Sequence, residues 1–320
     1  MAFLTLRDFQ AARKHIEPHV HRTPTIGSET LSRMTGFDVV LKAELLQKAG
    51  SYKVRGPLNV LANMSEEAKA RGLITSSAGN HAQGVARAAR IHGVPAVVVM
   101  SKAAKPAKIE ATRDYGAEVV IHGEVWDDAY ARSLEIMKER NLTYVHPFDD
   151  PQLIAGQGLV GLEMIEDVPD LDVVVVPIGG GGLIAGCAMA IKAIKPDVRI
   201  IGVEAKQSPA MRRSLDAGQV TPLDSFGPMI DGLVVKRVGD YTFDVVREFV
   251  DDVVLVDEER IFETVILIME RLKLVPEAAA AAPVAAILDG LIEAAPGTKV
   301  GCILSGGNLD LSALKGMAWN

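Results

Sequence analysis

With 320 residues, 48% of them hydrophobic and 23% charged, the chain can bury one large or two ordinary cores and is too apolar to be disordered. A net charge of -7 without any run of like charges excludes a basic nucleic-acid-binding surface. Cys187 and Cys302 both lie in apolar runs, which favours two buried, reduced thiols over a disulfide or a metal pair and a cytoplasmic setting.

The first twenty residues carry Arg7, Asp8, Arg13, Lys14 and Glu17 at apolar spacing, the pattern of an amphipathic helix rather than of a secretory signal. A strand-like run at 39–44 follows and ends in a turn at Gly50, where Ser51 is placed to N-cap a helix beginning with Lys53. A lysine there sits at the positive end of a helix dipole, which disfavours the ammonium and favours the neutral amine. A neutral amine is a nucleophile that condenses with aldehydes.

From there strands and helices alternate. Strands are expected at 73–76, 96–100, 118–121, 143–145, 172–176 and 199–203, and helices at 81–90, 105–115, 126–140, 156–166 and 183–194. Continuous apolar strands between helices mean parallel sheets covered on both faces, an α/β fold. Residues 173–191 carry no charge and are long enough to cross a bilayer. They also contain Pro177 and four consecutive glycines, so strand, loop and buried helix is the better reading, without a membrane span.

Three strand-end loops could carry chemistry, the first two of them at strand-to-helix junctions. Gly179, Gly180, Gly181 and Gly182, with Leu183, would let backbone N–H groups close on a phosphate at a helix N-terminus. Ser76, Ser77, Ala78, Gly79, Asn80 and His81 offer hydroxyls and free N–H groups suited to a carboxylate. The loop containing Ser305, Gly306, Gly307 and Asn308 could enter the same crevice, at the carboxyl ends of parallel strands. Taken singly, each also reads as an ordinary turn. A competing reading takes Gly180, Gly182 and Ala185 as a dinucleotide fingerprint with Glu204 as the ribose acid, but at least four strands precede it and the Lys53 and Asn80 loops stay unexplained.

Together the loops resemble the fold-type II pyridoxal-phosphate enzymes, within them the serine/threonine dehydratase and serine racemase branch, over about residues 22–308. The matching pieces are Ser51-Tyr52-Lys53-Val54-Arg55-Gly56, Ser77-Ala78-Gly79-Asn80-His81, the four glycines, Ile154-Ala155-Gly156-Gln157-Gly158 and Leu304 to Asn308. The resemblance implies a tryptophan synthase β-like fold of two parallel-sheet lobes with the cofactor between them. The large domain would take residues 1–71 and 148–320, and 72–147 would form a small inserted domain. It implies pyridoxal 5'-phosphate carried by Lys53, which would also remove the substrate α-proton. Tyr52 would pack on the cofactor ring and Asn80 hydrogen-bond its 3-hydroxyl. The N–H groups of Gly179 to Leu183 would hold the phosphate, and Ser305 would face the pyridine nitrogen. Residues 76–81 would bind the carboxylate of a small amino-acid substrate. The implied activity is β-elimination from L-threonine or L-serine to a 2-oxo acid and ammonia, in a homodimer or homotetramer.

The chain departs from the family at several points. The Ser that supplies an opposite-face acid in racemases is Ala78, which favours dehydration over racemisation. Ala210 stands where metal-binding members pair a second acid with Glu204, so no metal is expected. Leu159 replaces a Thr, and Ala278 to Ala281 replace Pro-Ser-Gly-Ala after Glu277. The sequence runs twelve residues past Asn308, so a C-terminal regulatory domain like that of biosynthetic threonine dehydratases is not expected. Other readings are racemisation, dehydration of another β-hydroxy amino acid such as 3-hydroxyaspartate, a nicotinamide oxidoreductase, and a ligand-binding protein without turnover.

Overall fold

The computed structural model describes residues 2–225, 230 and 232–310. Among these, ten strands form two sheets: β1 (Thr25–Gly27), β2 (Asp38–Lys42), β3 (Leu73–Ser76), β4 (Ala96–Met100), β5 (Glu118–Ile121), β6 (Thr143–Tyr144), β7 (Val173–Pro177), β8 (Arg199–Ala205), β9 (Asp252–Val256) and β10 (Lys299–Ile303). The six-stranded sheet runs β1-β2-β10-β7-β8-β9 and the four-stranded sheet β5-β4-β3-β6. Of these strands only β1 pairs antiparallel; every other pairing is parallel.

Burial on both faces explains the unbroken valine run of β7. Val173 and Val175 pack into the cluster that holds the Ala278–Leu288 helix, and Val174 and Val176 into the cluster of the Gly182–Lys192 helix. In β4, Val98 and Met100 face one core while Val97 and Val99 face another. The uncharged stretch that imitates a membrane span is β7, the glycine loop and a helix buried over nearly its whole length. Among the described residues no helix is long and apolar enough to cross a membrane. Cys187 and Cys302 are buried and unbridged.

Two local expectations are corrected. Lys53 lies in a 3₁₀ turn, Tyr52–Val54, and the α-helix starts only at Arg55. Ser51 is extended (φ −165°, ψ 162°) and caps nothing; its backbone instead forms an antiparallel bridge with Gly306. The helix expected at 156–166 is two helices, Pro151–Gln157 and Leu159–Asp167. The first begins early because the Asp150 carboxylate accepts hydrogen bonds from the N–H groups of Gln152 and Leu153, with Pro151 at the first helical position.

Candidate active site

Loops leaving the carboxyl ends of β3, β7 and β10 carry the groups singled out above, as parallel sheets arrange them. The lysine segment is tied directly to the β10 loop. Tyr52 N–H donates to the Ser305 carbonyl at 3.1 Å, next to the Ser51–Gly306 bridge. Ser305 itself is buried.

Lys53 Nζ donates to the Pro147 carbonyl at 2.9 Å and lies 5.3 Å from the centre of the Tyr52 ring. Desolvation pushes its pKa down to about 8, against a smaller opposing pull from the Glu277 charge. A substantial fraction is therefore neutral near physiological pH. The Pro147 carbonyl is aimed by His146, whose Nδ1 accepts from the N–H groups of Phe148 and Asp149 at 3.3 and 2.8 Å. Burial, the largest cause, lowers the pKa of His146 and keeps the ring an acceptor.

The glycine loop admits little but glycine. A Cβ on Gly180 would fall 2.2 Å from the Phe148 ring, and one on Gly179 2.5 Å from the Gly232 carbonyl. Gly181 takes φ +96°, which L side chains rarely adopt, with the Thr242 side chain 2.8 Å from where its Cβ would stand. Thr242 Oγ1 donates to the Gly180 carbonyl at 2.8 Å and fixes the loop from below. The Gly182–Lys192 helix starts at the end of this loop, and its first N–H groups have no partner within the helix. Leu183, the next residue, is buried in the core beneath.

The β3 loop divides. Ser76 Oγ shares a 3.1 Å hydrogen bond with the Tyr144 hydroxyl, and Ser77 Oγ accepts from the Gly79 N–H at 3.2 Å. Ala78 packs against the buried cluster that includes Val85, Val98 and Leu153, and the Asn80–His92 helix begins directly after Gly79. His81 Nε2 meets the Val145 carbonyl at 3.2 Å, so that nitrogen carries the proton. Burial first, then the nearby Lys53 charge, holds the His81 pKa down to about 3, and the ring stays neutral.

Asn80 faces two partners. Its Nδ2 donates to both Glu277 oxygens at 2.8 Å, and its Oδ1 accepts from Asn308 Nδ2 at 2.8 Å. Glu277 is the residue the sequence reading left out of the site. Its N–H donates to the Gly306 carbonyl at 3.0 Å, and burial raises its pKa. The available signal was an acid at the helix start directly before Ala278 to Ala281, a segment that drew notice only for its alanines. By contrast Glu204 is spent elsewhere. It accepts from the N–H groups of Met211 and Arg212 at 2.7 and 2.8 Å, capping the Ala210–Ala217 helix.

Ser51 Oγ, His81 Nδ1 and both polar atoms of Gln157 are buried without hydrogen-bond partners, and all belong to segments that border this crevice. Unpaired buried polar atoms beside a glycine-lined helix N-terminus and a partly neutral lysine fit an anionic aldehyde cofactor.

The fold and these loops define a cofactor-dependent enzyme of the tryptophan synthase β-like type. The family model "Pyridoxal-phosphate dependent enzyme" matches residues 16–306, and the chain belongs to that family. Pyridoxal phosphate is its cofactor, and the dinucleotide reading of Gly180, Gly182 and Ala185 falls with it. The chain is 45% identical over 311 residues to the L-threonine ammonia-lyase of Thermotoga maritima, covering 97% of this chain and 77% of that one. It is 41% identical over 310 residues to the catabolic L-threonine dehydratase TdcB of Escherichia coli K12, covering 97% and 94%. Maize serine racemase superposes with a TM-score of 0.94 at 36% identity, covering 98% and 96%. The solved threonine deaminase of T.th. superposes at 0.90 and 39%, covering 96% and 99%.

Proposed function

We propose that this enzyme is an ammonia-lyase that converts L-threonine and L-serine to 2-oxobutanoate and pyruvate with release of ammonia. The observation that carries the reading is Lys53: a half-buried lysine whose amine has its pKa lowered to about 8 by desolvation, beside a glycine loop suited to a phosphate. Bound pyridoxal phosphate supplies the electron sink for carbanion chemistry at the substrate Cα.

The chain supplies the rest. Lys53 carries the cofactor and takes the Cα proton as general base, which a pKa near the working pH favours. The N–H groups of Gly179, Gly180, Gly181, Gly182 and Leu183 hold the phosphate. Ser305 faces the pyridine nitrogen with a neutral hydroxyl, which moderates the sink and favours elimination over transamination. The substrate carboxylate sits at the amino end of the Asn80–His92 helix, on the loop of Ser77, Ala78 and Gly79. Ser76 and His81 support that loop through Tyr144 and Val145. Asn80 serves the cofactor ring oxygen together with Glu277, whose carboxylate shares its amide donor.

Residues 72–147 act as a small domain closing over substrate against a large domain of 1–71 and 148–320. The enzyme works in the cytoplasm as a homodimer or homotetramer, by analogy with the family.

Racemisation is the second reading, supported by the likeness to maize serine racemase. Ala78 weighs against it, because a methyl cannot protonate the opposite face of the substrate. The test is to load the purified protein with pyridoxal phosphate, add L-threonine or L-serine, and follow 2-oxo acid, ammonia and the D-enantiomer. Oxo acid and ammonia in equal amounts with almost no D-serine is the expected result. D-serine forming faster than pyruvate, or no product from either substrate, would overturn it. Ala78→Ser should raise D-serine formation by about a hundredfold, the low end of what one positioned proton donor contributes.

A further inference from the structure

Gln157 ends the Pro151–Gln157 helix and is fully buried. Neither its Oε1 nor its Nε2 has a hydrogen-bond partner. Such an amide is rare in a folded interior, because both poles have lost water and gained nothing. Its direction is informative. A Cβ on Gly182 would lie 2.7 Å from Gln157 Oε1 and 2.9 Å from the Phe148 carbonyl. The amide is thus turned onto the amino end of the Gly182–Lys192 helix, while Thr242 bonds the Gly180 carbonyl and packs at Gly181. Oxygen and nitrogen of a glutamine amide exchange places by a half-turn of the last torsion, so the NH₂ group can occupy this position.

We propose that Gln157 is a cofactor-positioning residue whose NH₂ group reaches the phosphate of pyridoxal phosphate, directly or through one bound water, and so completes the ring of backbone donors. The proposal rests on the assignment of the glycine loop to the phosphate. Two consequences of opposite sign follow. Without cofactor the unpaired amide is a burden, so an apolar side chain of similar length should stabilise the apoprotein. With cofactor the same change should weaken binding, and only for ligands that carry a phosphate.

The experiment compares wild type, Gln157→Met, Gln157→Glu and Gly180→Ala as apoproteins. Thermal midpoints are measured, and dissociation constants for pyridoxal 5'-phosphate and for pyridoxal, which lacks the phosphate, by equilibrium dialysis. Gln157→Met should raise the apoprotein midpoint and weaken pyridoxal phosphate about tenfold to a hundredfold, with pyridoxal changed less than about twofold, as expected for one hydrogen bond to an anion. Gln157→Glu, close in shape, should lose at least as much through like-charge repulsion and decides the matter if the Met variant does not fold. A fall in the midpoint, or equal weakening of both ligands, would mean that Gln157 only braces the fold. Undiminished discrimination between the two ligands in both Gln157 variants would also overturn the proposal. Gly180→Ala separates the two levels. If it too spares the discrimination, the phosphate assignment of the loop has failed; if it alone abolishes it, only the role of Gln157 has.

Discussion

Lys53 and Arg55 lie two positions apart, and each takes a cation out of water in different company. Arg55 is fully buried and forks to two carboxylates, Glu44 at 2.8 and 2.9 Å and Glu163 at 2.7 and 2.9 Å. Lys42, also fully buried, closes the cluster on Glu163 at 2.9 Å. Burial works against the Arg55 charge, but Glu44 and Glu163 more than offset it and its pKa rises. Lys53 has only a carbonyl to bond and a distant pull from Glu277, so burial wins and its pKa falls. The same short segment thus holds a locked charge and a releasable one. The proposed chemistry needs the second, and the first anchors the segment that presents it.

The largest effect should come from removing the releasable amine. Lys53→Ala should lower turnover of L-threonine by about 10⁴-fold or more, since in the proposed mechanism one residue serves as both cofactor anchor and proton carrier. Oxo acid release under saturating pyridoxal phosphate measures it. Activity within tenfold of wild type would remove Lys53 from the centre of the mechanism.

The locked charge should respond through stability. Arg55→Leu leaves Glu44 and Glu163 buried without their main partner and should cost about 3–5 kcal/mol in urea unfolding. Arg55→Lys should recover only part of this, because an ammonium cannot fork to two carboxylates at once. If Arg55→Lys were as stable as wild type, the bidentate geometry would carry no weight, and the contrast with Lys53 would reduce to charge count.

The same contrast explains what could be read before the fold was seen. The parallel strands and the three loops were legible because their signals are local: valine runs, four glycines at a strand end, Ser-Ala-Gly-Asn before a helix. A lowered basicity of Lys53 was also expected, though through a helix dipole, whereas in the structure Lys53 lies in a 3₁₀ turn and desolvation depresses its pKa. What escaped was long-range pairing. Asn80 meets Glu277 across 197 positions and Arg55 meets Glu163 across 108, and nothing in either neighbourhood names the partner. Gln157 was quoted within a motif, but its lack of partners is a property of the packed interior alone. Helix boundaries slipped where capping chemistry decided them, as at Asp150 and Pro151.

The smallest of these effects, and the most specific to the comparison, is a pH dependence. In the unfolded apoprotein Lys53 should titrate near its ordinary value of 10.5, and in the folded one near about 8. Between those values the unfolded chain binds more protons than the folded one, so stability from this group rises with pH across the interval. Below about pH 8 both states hold the proton and the cost of burying the ammonium is fully present; above about 10.5 neither does and the cost is gone. Lys53→Met removes the titrating group and keeps the length of the side chain. The variant apoprotein should therefore melt above wild type at pH 7, by on the order of 5 °C. That gap should narrow steadily as the pH climbs from about 8 toward 10.5, while other titrating groups cancel in the difference. A gap that stays constant across that range would mean that the lysine is hydrated or paired in the folded protein. In that case Lys53 and Arg55 would not differ as the structure indicates, and the neutral amine needed for attack on the cofactor aldehyde would have to come from elsewhere.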